Sequence, residues 1–284
     1  KPTHVFIEAL WVVPDKFPVL IKLHPNVKWI VRLHSNSPFI ANEGIAMEWL
    51  DKYGDLAEQY PDNFFISSNS ELLINDLKKS MDLDLVYAPN IYSPPMYWDL
   101  EEPQKNSSVI NIASFGAIRP LKNQLIQAMA AIDFSNRLGK KLKFHINGSR
   151  HEQSGDRVYK NIVNLFEANP DHELVEHEWL PHKDFIQLVK FMDMGLQVSF
   201  SETFNIVAAD FAWNNIPIVG SKEISWMSSL YKANPTNLNE IVNYLWLAYS
   251  GKFINLHRLN KIGLIAYNKV SLSAWKSLLF NILD

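Results

Sequence analysis

The sequence predicts an α/β protein built from two doubly wound domains, the first of them incomplete. Three observations carry that prediction. Short apolar runs alternate with longer amphipathic stretches along most of the chain, the rhythm of parallel strands joined by crossover helices. A proline-rich stretch at 89–108 interrupts the rhythm once. The 284 residues are 47 % hydrophobic and 20 % charged, enough apolar material for a packed core in each part.

The first run, Thr3 to Leu10, reads as a buried strand over 4–10. A chain seldom opens inside a core strand, and this one opens on Lys1, so residues ahead of Lys1 are expected to complete the first domain. Further strands are expected at 27–33, 63–67 and 84–88, with helices at 15–23, 43–59 and 70–80. Pro89, Pro94, Pro95 and Pro103, then Asn106-Ser107-Ser108, read as a stiff linker, because proline fixes φ and disfavours helix. Beyond it, strands are expected at 109–115, 141–147, 173–177, 194–200 and 216–220. Helices at 122–138, 155–168, 182–191 and 205–213 fall between and after them. Only the final stretch breaks the alternation, with helices at 237–250, 253–268 and 271–283. The domains are placed at 1–100 and 101–268, with 269–284 as a C-terminal helix.

Composition excludes several chemistries. A net charge of −3 argues against a nucleic-acid partner held by phosphate neutralisation. The absence of cysteine removes disulfides, zinc–thiolate sites and thiol nucleophiles. No apolar run reaches the length of a bilayer span and no signal-peptide pattern is present, so a cytoplasmic location is expected. His145, His151, His172, His177 and His182 lack metal-ligand spacing on a helix face and read as structural or surface groups; no metal site is expected. The nine tryptophans read as core packing.

Sheets of this kind bind ligands at the carboxyl ends of their strands. After the strand at 109–115 comes Gly116-Ala117-Ile118-Arg119-Pro120-Leu121-Lys122-Asn123. Gly116 permits a tight turn. Arg119 and Lys122 stand three apart at a helix start, where two cations and exposed amides suit a diphosphate. After the strand at 194–200 comes Ser201-Glu202-Thr203-Phe204-Asn205-Ile206-Val207, running on to Asp210. Asn205 is placed to cap the helix, and the amides of Asn205, Ile206 and Val207 can hold an anion. Glu202 lies ahead of them, and Asp210 about one turn in. Ala208, Ala209, Phe211 and Ala212 surround Asp210, so that carboxylate needs a partner. The bland reading is solvated basic residues at a helix start and a turn-capping Glu202. Against it stands the match between the loops: one offers cations, the other amides and acids, as a nucleotide diphospho-sugar requires.

At these residues the chain resembles the retaining glycosyltransferases of the GT-B fold, family 4, with a truncated N-terminal acceptor domain. Ser114 to Asn123 looks like that family's glycine–arginine–lysine loop. Glu202 and Asp210 look like its paired acids, and Asn215-Ile216-Pro217-Ile218-Val219-Gly220 like the strand that follows. His177 to Asp184 is similar to the loop flanking the nucleotide base. Val27 to Ser35 resembles the strand that ends in the active-site histidine, here His34. The resemblance implies two Rossmann-like domains, with the C-terminal helix crossing back onto the first. It implies sugar transfer, with retention, from a nucleotide diphospho-sugar to a glycan or small-molecule acceptor. The transfer would be metal-independent, with no cofactor beyond that co-substrate. Carried over residue by residue, Gly116, Arg119, Lys122, Asn205 and Ile206 hold the diphosphate and Asp210 the ribose. Glu202, Thr203 and Phe204 meet the donor sugar, and His34 and Glu202 are the catalytic pair. There are departures: Asp210 stands where the family usually has Glu, Asn205 where Gly follows the phenylalanine, and Trp213-Asn214-Asn215 where smaller residues occur. Two other readings are a non-catalytic nucleotide-sugar binder and a structural protein on the same fold. A nucleotide-dependent oxidoreductase would want a glycine fingerprint that Gly116 alone does not supply.

Overall fold

The computed structural model describes residues 2–94, 97, 100, 101 and 106–281. The chain divides into two compact units, Lys1–Ile91 with Asn268–Asp284, and Tyr92–Tyr267.

The first unit runs β1 (His4–Glu8), α1 (Phe17–Leu23), β2 (Lys28–Leu33), α2 (Ser37–Ile40), α3 (Ala46–Gln59), β3 (Phe64–Ser68), α4 (Glu71–Met81) and β4 (Val86–Tyr87). The strands form one parallel sheet in the order β1-β2-β3-β4. β2 is buried from Trp29 onward, as in a strand covered on both faces, and its one buried charge, Arg32, pairs with Glu8 and donates to the Ala88 carbonyl. On one face α3 sets Ala46, Leu50, Tyr53 and Leu56 along a single buried stripe, and Tyr53 and Phe64 meet Phe17 edge-on. On the other, Ile30 and Ala88 pack against Leu278 from the C-terminal segment. Beside them the Trp275 indole donates to the Pro89 carbonyl at 2.7 Å. Ser70 caps α4 by accepting from the Leu73 amide.

The second unit begins with β5 (Val109–Ala113), α5 (Gln124–Leu138), β6 (Lys141–Ile146), α6 (Gly155–Glu167), β7 (Glu173–Glu176), α7 (His182–Phe191) and β8 (Met194–Gln197). It continues through α8 (Ile206–Trp213), β9 (Ile218–Ser221), β10 (Lys232–Ala233), α9 (Leu238–Gly251) and the start of α10 (Arg258–Asn281). All six strands are parallel, in the order β10-β9-β8-β5-β6-β7. The chain starts in the middle, winds outward to β7, then returns to the other side of β5. The winding direction reverses between β5 and β8, so the loops leaving those two strands diverge and open a crevice. Gly139, in the left-handed region at φ 69°, ends α5.

The doubly wound α/β architecture agrees with the prediction, and the departures have local causes. The units divide between Ile91 and Tyr92 rather than at 100/101, because Tyr92 is buried in the core of the second unit. Pro95 and Pro103 of the expected linker, and the end of the helix expected at 271–283, lie outside the described residues. The helices expected at 253–268 and 271–283 are one, α10, preceded by a 3-10 turn at Lys252–Ile254. Among the described residues no helix is long and apolar enough to cross a membrane.

Candidate functional site

The loop after β5 turns at Gly116, whose φ of 113° suits glycine. Its amide donates to the Asn147 side chain at 2.8 Å, and Asn147 in turn donates to the Glu178 carbonyl. The loop then lies against the start of α6, where a Cβ on Gly155 would stand 1.9 Å from the Ile118 carbonyl oxygen, so only glycine permits the approach. Pro120–Lys122 forms one 3-10 turn, and Asn123 enters α5 with φ 58°.

A second set of polar side chains ties this loop to the one after β8. Asn123 donates to the Val198 carbonyl at 3.0 Å. Gln127 accepts from the Val198 amide and donates to the Lys122 carbonyl. Gln197 donates to the Phe115 carbonyl and accepts from Asn205. The Phe200 amide donates to the Leu121 carbonyl at 2.9 Å. Each buried amide side chain is satisfied by loop backbone or by another amide, so the two loops are fixed to each other rather than merely adjacent.

Within this frame Lys122 and Glu202, 80 residues apart in sequence, form an ion pair, with side chains only 13 % and 10 % exposed. Glu223 lies close enough to Glu202 that burial and this neighbouring charge raise its pKa. Asn205 sits in the left-handed region, φ 57°, and its side-chain oxygen caps α8 by accepting from the Ala208 amide. The amides of Ile206 and Val207 stand at the same helix tip, where the first turn has no intrahelical acceptor. A cavity of about 240 Å³ opens there, and Gly116, Asn147, Ile206 and Asp210 are among its walls.

Asp210 is 2 % exposed and does have partners. The Tyr92 hydroxyl donates to its Oδ1 at 2.8 Å, and His182 Nε2 lies 3.3 Å from the same oxygen. Burial raises the Asp210 pKa, and the Tyr92 hydrogen bond and His182 oppose that rise. Tyr97 approaches the other ring nitrogen of His182 at 3.3 Å. Trp179, Leu180 and Phe185 supply an apolar wall, with the Arg150 guanidinium 4.5 Å from the Trp179 ring centroid.

The sequence-predicted residues are placed as follows in the fold. Gly116, Ile206 and Asp210 line the cavity, and Lys122, Glu202 and Asn205 stand on the loops after β5 and β8. Thr203 is half-buried in the same turn as Glu202. Arg119 pairs with Glu152 at 3.2 Å, on the loop after β6. The Phe204 side chain is 4 % exposed and packs on Trp226 and Tyr267, so it faces the core and not the cavity. His34 belongs to the first unit, at the carboxyl end of β2. Its Nε2 meets Glu8, and the guanidinium of Arg32 lies 3.5 Å from its Nδ1. Burial first, then the Arg32 charge, lower its pKa.

His182 was read as structural or surface from sequence, yet it lines the cavity and touches Asp210. Its place at the first position of α7, after a β7 loop ending Leu180-Pro181, was the available signal. Tyr92 and Asn147 gave none, because their partners are 118 and 31 residues away. His145 is buried, stacks on the half-buried His177 and also meets Asn111 at 3.2 Å. Burial pushes the His145 pKa down to about 3.

Two parallel α/β sheets, the second doubly wound with its polar crevice at the strand reversal, make up the GT-B fold of glycosyltransferases. Nearly the whole chain superposes on solved structures of that fold. It is similar to OtsA (TM-score 0.70, 14 % identity, 99 % of this chain and 73 % of that one). It is similar to a UDP-forming α,α-trehalose-phosphate synthase from Burkholderia xenovorans (TM-score 0.67, 12 % identity, 99 % and 73 %). It is also similar to a variant of S. aureus TarM in complex with Fondaparinux, α-GlcNAc-glycerol and UDP (TM-score 0.68, 11 % identity, 94 % and 54 %). The chain therefore spans about three quarters of the synthases' length and about half of TarM's. No protein-family model and no curated protein sequence matches it.

Proposed function

We propose that the protein is a glycosyltransferase whose donor, a nucleotide diphospho-sugar, lies in the crevice between the loops after β5 and β8. The observation that supports this best is the Lys122–Glu202 pair. A cation suited to phosphate and an acid suited to sugar hydroxyls meet at the point where the sheet reverses, beside a capped helix tip. The base and ribose are assigned to the cavity under Trp179 and Leu180, with Asp210 Oδ2 toward the ribose. Arg119 is assigned to the diphosphate, which it can reach by exchanging Glu152 for phosphate. UDP-sugars are the first donors to test, since one similar synthase is UDP-forming and TarM was solved with UDP.

Chemistry at this site would run as follows. Heterolysis of the anomeric C–O bond places negative charge on the leaving diphosphate. Lys122 and the amides of Ile206 and Val207 are preorganised for that charge and stabilise it more than the ground state. The acceptor hydroxyl approaches the face that the diphosphate leaves and gives its proton to the departing oxygen, so configuration is retained. The role of His34 beside the reacting sugar rests on resemblance.

Thermal shift with UDP, GDP, ADP and their sugar conjugates tests the binding half. A ligand at 100 times its Kd adds about 2.7 kcal/mol of stability, and the absence of a shift with every nucleotide sinks the proposal. Donor hydrolysis or transfer by the wild type, lost in Glu202→Ala, then separates an enzyme from a non-catalytic binder.

A further inference from the structure

We propose that the turn Lys252–Ile254 docks this protein on an anionic membrane surface. Phe253 is 80 % exposed and Ile254 75 %, side by side on a single 3-10 turn after α9. They form an apolar tip that water solvates poorly and that a partner surface can cover. Basic groups collar them. The Lys140 amine lies 5.6 Å from the Tyr249 ring centroid, and the Phe253 ring stands edge-on to the same tyrosine at 6.3 Å. Lys140, Lys252, Tyr249 and Phe253 share one groove of about 490 Å³. One acid, Asp193, also lines the groove and accepts from the Asn111 amide at 2.9 Å. Arg258 follows directly, its amide bonded to the carbonyl of Asn255, the residue that ends the turn.

The charge pattern selects the partner. Lys140 and Lys252 on the groove and Arg258 after it stand beside the turn, in a chain whose net charge is −3. A short apolar tip with a diffuse basic collar suits headgroups and the acyl boundary beneath them, where aromatic and aliphatic side chains insert and lysines reach phosphate. The location permits it as well. Val109, Lys140 and Asp193 stand at or just before the first residues of β5, β6 and β8, so the groove lies at the amino ends of the strands. The crevice lies at their carboxyl ends, and docking at the opposite edge of the sheet leaves it open.

Co-sedimentation of the full chain with vesicles of phosphatidylcholine containing 30 mol% phosphatidylglycerol, and with pure phosphatidylcholine, tests the inference. Binding is expected to the first only, and to weaken as salt is raised. Lys140→Ala with Lys252→Ala should lower the partition coefficient by about twenty-fivefold, roughly fivefold per basic residue. Phe253→Ser and Ile254→Ser should each lower it by about tenfold or more. Circular dichroism and the melting temperature of each variant, matched to wild type, show that the loss is not unfolding. No sedimentation with the anionic vesicles, or variants that sediment like wild type, overturns the proposal. So does a concentration-dependent dimer in light scattering that Phe253→Ser abolishes, which would give this face to a second copy of the chain.

Discussion

Lys122 and Glu202 are each other's counter-ion before any ligand arrives. On the proposed function, a diphosphate entering the crevice would take the lysine from the carboxylate and free Glu202 for sugar hydroxyls. Lys122→Ala should therefore weaken nucleoside diphosphates by about tenfold to a hundredfold, the range of a charge-assisted hydrogen bond, while barely changing nucleoside affinity. Calorimetric titration of both ligands checks it, and equal weakening removes the phosphate role. Glu202→Gln should tighten the bare diphosphate by about fivefold, since its competitor is gone, and weaken the sugar conjugate. His145 makes a second prediction. Its pKa falls from 6.5 to about 3 because burial, then His177 and Lys143, penalise the imidazolium. Folding thus favours the neutral ring, and this contribution is complete above pH 6.5 and lost as pH falls toward 3. Urea titrations should show wild type losing about 2 kcal/mol more than His145→Gln between pH 7.5 and 5.0. An equal loss in both would show that another group governs the acid limb.

At the scale of elements, the helix tip of α8 explains a departure that the sequence alone left odd. The position after Phe204 lies at φ 57° and ψ 88°, where glycine is at ease and asparagine is among the few tolerated alternatives. Asn205 uses its side chain to cap Ala208 and to hold Gln197. Asn205→Ala should cost about 2 kcal/mol through the lost cap and the strained backbone. Asn205→Gly should cost less and keep nucleotide binding; a glycine variant as unstable as the alanine one would refute this account. The same helix shows what was legible in advance. The alternation of apolar runs located nearly every core strand, because a buried parallel strand is written as consecutive apolar residues. β10, two residues long, carries no such period, and it exists because Gly220 and Ser221 of β9 offer it an edge. Ser37–Ile40, with its proline in the first turn, was likewise too short to register. In the candidate site, the sequence pointed to residues that cluster along the chain, as at Lys122 and at Glu202 to Asp210. It did not where a lone tyrosine, histidine or amide comes from another loop, as with Tyr92, His182 and Asn147. Phe204 shows the limit of the motif: two residues after Glu202, its side chain is turned into the core.

For the whole molecule, the assignment of Asn268–Asp284 to the first unit means that a sheet made early in the chain depends on residues made late. Trp275 supplies much of that dependence: it donates to Pro89, meets Phe6 edge-on, and lies 5.8 Å beneath the Arg32 guanidinium. Trp275→Ala should destabilise the first unit by about 3 kcal/mol. Hydrogen exchange should quicken in β1–β4 and stay unchanged in β5–β9; uniform quickening would show one cooperative block instead of two. The arrangement also sets a timetable for synthesis. At ribosomal rates of 5–20 residues per second, the insertion of Tyr92–Tyr267 delays the closing helix by on the order of ten to thirty-five seconds. For that interval the apolar side of Ile30 and Ala88 has no native cover, so the nascent first unit is a natural client for a holding chaperone.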